Sequence, residues 1–365
     1  MYKYPDMYYV FKLAYKISTA SIVLILLSRC NTELKELRFD YNAFPDVAML
    51  NGNVYCVFYN GWEHGSFPEK DRLMSKGGGI YLAISSDSGR SWTTPKVIID
   101  TPFDDRDPSL LAIENRLICS FFQVALGDSK LEFNTSISES YDGGNSWSTP
   151  RLVAKNFATS SPILKTKSNK IILAGYLVDY NNRGECYTIE SNDNCRTWSN
   201  PKLVLKSNNI SLSEPSIVEF GNRLIIVARS DDHHLNMQST ESNDNGITWS
   251  QSNDLGFPGE APYLLNVGDT VLLLAKRHPL TNIRLSGKNE VNFSDPYIID
   301  DGSGSYGAYP SIVHLNGNKF LISYYIETIE NQRAEIRFRY CYVANSKIVV
   351  SDVVSNLFIE PLFIR

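Results

Sequence analysis

Several features that define other classes of protein are scarce in this sequence. The chain of 365 residues has no excess of basic residues, since its formal net charge is −5, and no cluster of Lys and Arg reverses that balance locally. A nucleic-acid partner is therefore not expected, because such proteins neutralise phosphates with a basic surface. No low-complexity linker divides the chain, so we expect one domain after the N-terminal leader.

Cysteine is also scarce, with six residues in the whole chain. Five of them follow the leader in irregular spacing: Cys56, Cys119, Cys186, Cys195 and Cys341. This spacing predicts neither a disulfide framework nor a set of metal ligands, and we expect no metal and no other cofactor. Cys186 and Cys195 flank one predicted hairpin and could form a disulfide; buried free thiols are the alternative.

The apolar run near the N-terminus, residues 17–27, is short for a membrane-spanning helix. It follows three lysines and ends at Leu27-Ser28-Arg29-Cys30, which resembles a bacterial lipoprotein signal with Cys30 as the lipidated residue. We therefore predict an export signal over residues 1–30 and a lipoprotein in the periplasm or on the outer membrane or cell surface of a bacterium. It would touch the membrane only through its lipid. An ordinary export signal and a membrane anchor are the alternatives.

What the sequence has in abundance is a repeat. Residues 85–92, 140–147, 191–198 and 242–249 follow the pattern S-x-D-x-G-x-x-W, with Cys195 in place of one glycine, and a decayed fifth copy keeps Ser286 and places Phe293 at the Trp position. The Asp side chain can accept hydrogen bonds from backbone N–H groups ahead of it, and Gly supplies a left-handed residue. Each copy is therefore predicted to be a hairpin turn between the outer strands of a small antiparallel sheet, and the period indicates radially arranged units.

A second repeat alternates with the first and consists of short openings that contain a proline. Six openings occur, at residues 43–46, 106–109, 160–163, 213–216, 260–263 and 308–311. Proline is tolerated at the first residue of a strand, so each opening is predicted to start the innermost strand of a blade. The sequence thus predicts an all-β fold, a single six-bladed β-propeller over residues 31–365, with all six openings at one end of the axis.

Polar side chains gather at these openings and at the ends of the second strands that follow them. The openings supply Asp46, Arg106, Asp107, Glu214, Glu260 and Tyr309, and the second strands supply Glu63, His64, Arg229, Arg277 and His278. Charges collected at the axis are costly unless they are paired or meet a ligand. The pattern favours a ligand site, and salt bridges that only join the blades are the alternative.

These features together resemble the sialidase (neuraminidase) superfamily, in which the first repeat is the structural Asp box. The resemblance implies that Tyr309 is the nucleophile, that Glu214 deprotonates it, and that Arg229 and Arg277 bind the carboxylate of the substrate, with Arg284 as second choice for Arg277. A neutral Tyr nucleophile avoids the repulsion that a carboxylate would meet at a sugar bearing a carboxylate.

The sequence departs from the family at two places. The family's first arginine lies in an R-I-P motif where this chain reads Ala43-Phe44-Pro45, so Arg106 is the proposed substitute. The acid that protonates the leaving oxygen lies in the loop after the second strand of the first blade. That loop offers Glu63 and His64, with Asp46 nearby. Asp107, Glu260 and His278 are interpreted as substrate-binding.

The resulting expectation is an exo-acting retaining glycosidase, a monomer, that releases a terminal acidic sugar from a glycan or polysaccharide. This sugar would be sialic acid or a related keto-acid sugar. A polysaccharide lyase acting on uronic acids and a non-catalytic glycan-binding propeller are the two alternatives.

Overall fold

The computed structural model describes residues 39–66, 77–126, 131–177, 184–287, 291–300, 305–328, 333–344 and 347–359. These residues belong to one compact unit, Arg38–Arg365. The predicted export signal, including Cys30, lies outside the described residues. Every regular element within those ranges is a β-strand, and no helix there is long and apolar enough to cross a membrane.

Consecutive strands form six antiparallel groups. Group 1 contains β1 (Tyr41–Leu50), β2 (Asn53–Gly61), β3 (Gly79–Ser85) and β4 (Lys96–Ile99). Group 2 contains β5 (Asp104–Ile113), β6 (Arg116–Leu126), β7 (Leu131–Ser140) and β8 (Arg151–Lys155). Group 3 contains β9 (Phe157–Ala158), β10 (Leu164–Lys165), β11 (Ile171–Leu177), β12 (Glu185–Ser191) and β13 (Lys202–Lys206). Group 4 contains β14 (Leu212–Phe220), β15 (Arg223–Ser230), β16 (Asn236–Ser242) and β17 (Asn253–Pro258). Group 5 contains β18 (Glu260–Val267), β19 (Val271–Arg277), β20 (Thr281–Gly287) and β21 (Tyr297–Asp300). Group 6 contains β22 (Ser305–Asn316), β23 (Lys319–Thr328), β24 (Arg333–Ala344) and β25 (Lys347–Leu357).

Hydrogen bonding gathers these strands into five sheets in the described part of the chain, rather than the six separate blades that the sequence predicts. Groups 2 to 5 each form a sheet of their own, whereas groups 1 and 6 share one eight-stranded sheet. Their strands meet at a single parallel pair, Tyr41 with Ala334. The fold is all-β and propeller-like.

The junction between groups 1 and 6 is reinforced by contacts on both sides of that pair. The Asn42 side-chain amide donates to the Ala334 carbonyl at 3.1 Å, and the Ala334 N–H donates to the Asp40 carbonyl at 3.2 Å. Arg333 forms an ion pair with Asp40 at 3.0 Å. No stretch of chain between consecutive strands crosses this junction, so it is held by non-covalent contacts.

The core lies between neighbouring groups and not within a single layer. Val57 and Leu82 of group 1, for example, share one buried cluster with Leu117 and Phe121 of group 2. Fully burying a side chain of this kind contributes about 1.5–3 kcal/mol. The alternation of apolar and polar residues along the strands thus holds each group against the next.

The four complete Asp boxes are hairpin turns between the last two strands of their groups, as predicted. In the copy at 140–147, the Asp142 carboxylate accepts hydrogen bonds from the Ser146 N–H at 2.9 Å and from the Ser146 hydroxyl at 2.5 Å. Gly144, with φ of 83°, donates its N–H to the Ser140 hydroxyl at 2.9 Å. The box Trp packs towards the preceding group; Trp92 stacks on Phe338 of group 6 with ring centroids 4.4 Å apart.

The prolines of five openings lie inside the innermost strands, which corrects the prediction that they begin those strands; Pro162 of group 3 lies just before β10. Pro45 is within β1, Pro108 within β5, Pro215 within β14, Pro262 within β18 and Pro310 within β22. In each case the register of hydrogen bonds shifts across the proline. A proline has no N–H to donate, and a β-bulge is the other place in a sheet where this is tolerated.

The five described cysteines, which include Cys186 and Cys195, are buried free thiols. The possible disulfide between Cys186 and Cys195 is therefore wrong. Cys195 replaces the Gly of its Asp box with a positive φ of 69°, so it serves the turn and not a covalent link.

Asp142→Ala should lower the melting temperature at neutral pH. Hydrogen bonds from Ser146 and Ser140 lower the pKa of Asp142 to about 2. A carboxyl group whose pKa is depressed by folding adds stability above its unfolded pKa, which is about 4, and loses it as the pH falls through the folded value. The difference in melting temperature between wild type and variant should therefore shrink from pH 4 to pH 2.

Thermal unfolding by circular dichroism across that pH range measures this difference. The control is Asp352→Ala, which removes an equal charge from an exposed position on the outermost strand β25. Equal melting temperatures of Asp142→Ala and Asp352→Ala at every pH would contradict a structural role for the box carboxylate.

Candidate active site

One backbone feature recurs at the innermost strands of five groups: the residue before the proline has a positive φ. The values are 52° at Phe44, 46° at Asp107, 47° at Glu214, 47° at Ala261 and 40° at Tyr309. Non-glycine residues rarely occupy this region, and such strain is concentrated at functional sites. All five residues line a single axial cavity, as does Ser160 from the opening of group 3. The bulges therefore direct these side chains to one place.

The closest polar contact in this cavity joins Tyr309 to Glu214. The Tyr309 hydroxyl donates to the Glu214 Oε1 atom at 2.6 Å, although the two residues belong to groups 6 and 4. Burial and the nearby Glu214 raise the pKa of Tyr309 well above its usual value, while Arg277 acts in the opposite direction. The phenol is therefore protonated at rest and is hydrogen-bonded to a base that can accept its proton.

Arg229 supports that base. Its guanidinium Nη1 lies 3.3 Å from the Glu214 Oε2 atom, and its Nε donates to the Ser213 hydroxyl at 2.9 Å. Ser213 and Arg229 are direct partners across β14 and β15. Arg229, on the second strand of group 4, thus lies beside Glu214 of the opening.

Arg277 occupies the matching position in the neighbouring group. Glu260 and Arg277 are cross-strand partners on β18 and β19, and their side chains form an ion pair at 2.7 Å. The Arg277 guanidinium also lies over the Tyr309 ring, 4.9 Å from its centroid. A cation at this position favours negative charge on the phenol oxygen. Arg284, by contrast, donates to the Ser294 carbonyl at 2.7 Å and packs over Phe257, so it belongs to the outer part of group 5.

Arg106 lies among aromatic rings at the side of group 1. Its guanidinium carbon is 5.3 Å from the Phe44 ring centroid and 5.8 Å from that of Phe122. Its Nε is 3.9 Å from a carboxylate oxygen of Asp104 and 4.0 Å from one of Asp107. Because Phe44 also contacts the Tyr309 ring at 4.9 Å, Arg106 lies one ring away from Tyr309.

Asp107 is one of three buried acids that line the cavity, with Asp46 and Glu214. Burial raises its pKa to about 7, with the like charge of Glu214 adding to the effect and Arg106 opposing it. Its neighbours Glu214 and Tyr309 line the same cavity. The raised pKa favours the protonated form, in which the side chain can donate as well as accept a hydrogen bond.

Asp46 has a structural role instead of pointing freely into the site. One of its carboxylate oxygens accepts the N–H of Val47 at 2.9 Å, and the other accepts the N–H of Leu110 at 2.7 Å. Leu110 lies on β5, so the carboxylate links group 1 to group 2. Burial raises the pKa of Asp46 to about 7.

Glu63 and His64 lie on the loop after β2. The Glu63 carboxylate accepts the indole N–H of Trp62 at 3.2 Å, and His64 Nδ1 is 3.1 Å from the Tyr41 hydroxyl. Loss of water around the ring, together with the charges of Arg106, Arg277 and Arg229, lowers the pKa of His64 well below its usual value. The imidazole is therefore neutral at neutral pH, carries no extra proton to donate, and is a weaker base than an ordinary histidine.

The structure adds site residues that the sequence analysis missed. The Tyr41 hydroxyl donates to the Glu327 carboxylate at 3.1 Å, and Tyr325 stacks on Tyr309 with centroids 6.1 Å apart. Tyr325 pairs with Ala308 across β22 and β23, in the register that pairs Ser213 with Arg229 and Glu260 with Arg277. The sequence contains a signal for Tyr325, because in all three pairs the residue on the second strand follows the first residue of its opening by sixteen or seventeen positions.

Comparisons with known proteins agree with this architecture. The family model described as BNR repeat-like domain matches residues 75–322. A protein of unknown function from Dyadobacter fermentans DSM 18053 is similar in structure, with a TM-score of 0.71 and 20% identity over 86% of this chain and 99% of its own. No curated protein matches the chain by sequence.

Two solved sialidases share the fold at lower identity. Trypanosoma rangeli sialidase, solved with the inhibitor DANA, has a TM-score of 0.64 and 16% identity over 85% of this chain and 56% of its own. The Hadza microbial sialidase Hz136 has a TM-score of 0.64 and 14% identity over 83% of this chain and 66% of its own. The chain therefore spans about 56–66% of these two proteins.

The matched family segment covers more than half of the chain and includes the Asp boxes and the innermost strands of groups 2 to 5. The protein belongs to the BNR repeat-like domain family, within the sialidase-like superfamily of BNR-repeat proteins.

Proposed function

We propose that this protein is an exo-acting retaining glycoside hydrolase that releases a terminal acidic sugar, sialic acid or a related keto-acid sugar, from glycans. The observation that carries the proposal is the 2.6 Å hydrogen bond between Tyr309 and Glu214. It joins a weak nucleophile to a base at the axis of a propeller-like fold, which is the arrangement that activates a hydroxyl nucleophile. In the same proposal the eight-stranded sheet counts as two blades, which gives a six-bladed propeller.

The first chemical step would form a covalent bond between the Tyr309 oxygen and the anomeric carbon of the sugar. The Tyr309 proton passes to Glu214 as that bond forms and the glycosidic bond breaks. Arg277, over the ring, and Arg229, beside Glu214, would stabilise the charges that develop. Water then hydrolyses the intermediate with retention of configuration. One similar solved structure is a Trypanosoma rangeli sialidase with 2,3-difluorosialic acid as a covalent intermediate.

Positive charge supports an acidic sugar as the substrate. Arg106, Arg229 and Arg277 all lower the pKa of His64, so their electrostatic fields overlap at that residue. Guanidinium groups bind carboxylates with charge-assisted hydrogen bonds. Ala43 occupies the place at the first opening where the sialidase pattern has an arginine, and its neighbour Phe44 lies next to Tyr309. The missing arginine favours a related keto-acid sugar as strongly as sialic acid.

The proton for the leaving oxygen would come from Glu63. Of the three residues that the sequence offers for this role, Asp46 is held by two backbone N–H groups and His64 is neutral at neutral pH. Glu63 lies on the loop at which the related enzymes carry their acid. Asp107, whose pKa is about 7, is the competing donor.

Tyr309→Phe should reduce kcat by at least about a hundredfold because the variant has no nucleophilic oxygen. Substrate binding, measured by calorimetry, should persist. The assay is the release of a reducing acidic sugar from a mixed library of acidic glycans. Incubation of wild type with 2,3-difluorosialic acid should add one sugar to the Tyr309 peptide in mass spectrometry.

The matched control is Tyr324→Phe. Tyr324 is also a buried tyrosine, and its hydroxyl bonds Asp300 at 3.0 Å in the outer part of group 6. Full turnover by Tyr309→Phe would exclude the nucleophile role. An unsaturated product absorbing in the ultraviolet would instead indicate a lyase, and binding without turnover by wild type would indicate a glycan-binding protein.

Arg277→Ala should lower kcat/KM for the acidic substrate by roughly tenfold to a hundredfold, since a charge-assisted hydrogen bond contributes about 1.5–3 kcal/mol. The same variant should lose much less on a substrate whose carboxylate is reduced to an alcohol. Arg284→Ala, outside the cavity, is the control. Equal losses on both substrates would show that Arg277 does not bind the carboxylate.

Glu63→Gln should abolish turnover of alkyl-linked glycans but retain it for an aryl glycoside, whose phenol leaves without protonation. Asp107→Asn should impair both substrates alike, because it removes a binding contact and not the acid. The reverse pattern, in which Asp107→Asn spares the aryl glycoside, would transfer the acid role to Asp107. Comparing kcat on the two substrates decides between them.

A further inference from the structure

Three of the chain's five histidines gather at the rim of the candidate active site. His233 and His234 lie in the turn between β15 and β16, and their ring centroids are 4.1 Å apart. His278 lies in the turn between β19 and β20, with its ring centroid 5.3 Å from that of His233. Each turn follows the second strand of its group, so the cluster adjoins the ends of the strands that carry Arg229 and Arg277.

We propose that His233, His234 and His278 bind a divalent transition-metal ion of the Zn²⁺ type, with Asp232 as a fourth ligand. In the part of the chain that the structure describes, Asp232, His233 and His234 form the group whose potential ligand atoms all lie within 4.8 Å of one another. Imidazole nitrogens with one carboxylate suit Zn²⁺, Ni²⁺ or Cu²⁺ and are poor ligands for Ca²⁺ or Mg²⁺.

The backbone on both sides of the cluster is fixed while the rings retain freedom to move. The Asp232 carboxylate accepts the His234 N–H at 3.0 Å, which closes the first turn. In the second turn the buried Lys276 donates its Nζ proton to the His278 carbonyl at 2.5 Å. Asp232, His233 and His234 are exposed and His278 is half-buried, so side-chain rotation can bring their ligand atoms to the separation of about 3.3 Å that tetrahedral zinc needs.

An ion at this place would join group 4 to group 5. It would add positive charge at the rim, on the side where Arg229 and Arg277 already lie. The proposal does not depend on the hydrolase mechanism, because its evidence is the proximity of the ligand atoms of Asp232, His233 and His234 and of the His278 ring to that of His233.

Titration of the metal-free full chain with ZnCl₂, monitored by calorimetry, tests the proposal. The protein is purified without a histidine tag, since a tag would bind the ion itself. We expect one saturable Zn²⁺ ion per chain. His233→Ala and His278→Ala should each weaken binding at least about tenfold, because each removes one ligand.

His314→Ala is the matched control, since His314 is exposed on β22 in group 6 and contacts the Gly317 carbonyl at 2.9 Å. Its zinc affinity should equal that of wild type. Zinc should also raise the melting temperature of wild type and of His314→Ala, since a ligand that binds only the folded state stabilises it, and should raise that of His233→Ala by less because its affinity is lower. These unfolding curves show at the same time that each variant is folded.

Two results would overturn the proposal. One is the absence of saturable zinc binding to wild type. The other is saturable binding that His233→Ala and His278→Ala both leave unchanged, because the ion would then occupy a different place.

Discussion

The backbone bulge before each axial proline is the constraint on which the site depends. An innermost strand that continued without interruption would alternate its side chains between the two faces of its sheet, and each group would bury them against its neighbours. The left-handed residue at Asp107, Glu214 and Tyr309 breaks that alternation. Three side chains from three different groups are thereby directed to the axis. The strain is tolerated because the innermost strand is hydrogen-bonded to the second strand of its group both before and after each bulge.

The electrostatics of the cavity follow from that convergence. Carboxylates and guanidinium groups are brought together in a volume from which most water is excluded, where an unpaired charge would be costly. Cross-strand pairing solves much of this problem locally: Glu260 meets Arg277 and Glu214 meets Arg229, each arginine on the second strand of the same group. The arginines of the site share carboxylate partners with one another. One acid, Asp107, has a pKa that is raised to about 7. In the proposed function, these arginines would exchange their internal ion pairs for contacts with the acidic sugar.

The sequence was informative where the structure is local. The Asp box could be predicted because Asp142 bonds to Ser146 only four residues away, and the same short reach applies in every copy. Glu214 and Arg229 were paired by the resemblance to the sialidases, and the hairpin of β14 and β15 places their side chains 3.3 Å apart. The proline openings were misplaced, because proline is compatible with both a strand start and a bulge, and only the register of hydrogen bonds distinguishes them. The role of Asp46 was beyond sequence reasoning, since it depends on the backbone N–H of Leu110 in the next group. The Tyr41–Glu327 contact spans almost the whole chain.

The junction between groups 1 and 6 has a consequence for how the protein unfolds locally. The chain itself crosses five of the six junctions between neighbouring groups, whereas this junction is closed by non-covalent contacts alone. The rings of Phe44 in group 1 and Tyr325 in group 6 pack together at this junction with centroids 5.4 Å apart. Phe44 also contacts the ring of Tyr309. Separation of groups 1 and 6 would break the Tyr41–Glu327 hydrogen bond and remove Phe44 from Tyr309, while most of the six groups stayed intact. The candidate active site is thus coupled to this junction, and a ligand that contacts both groups would stabilise the closed arrangement.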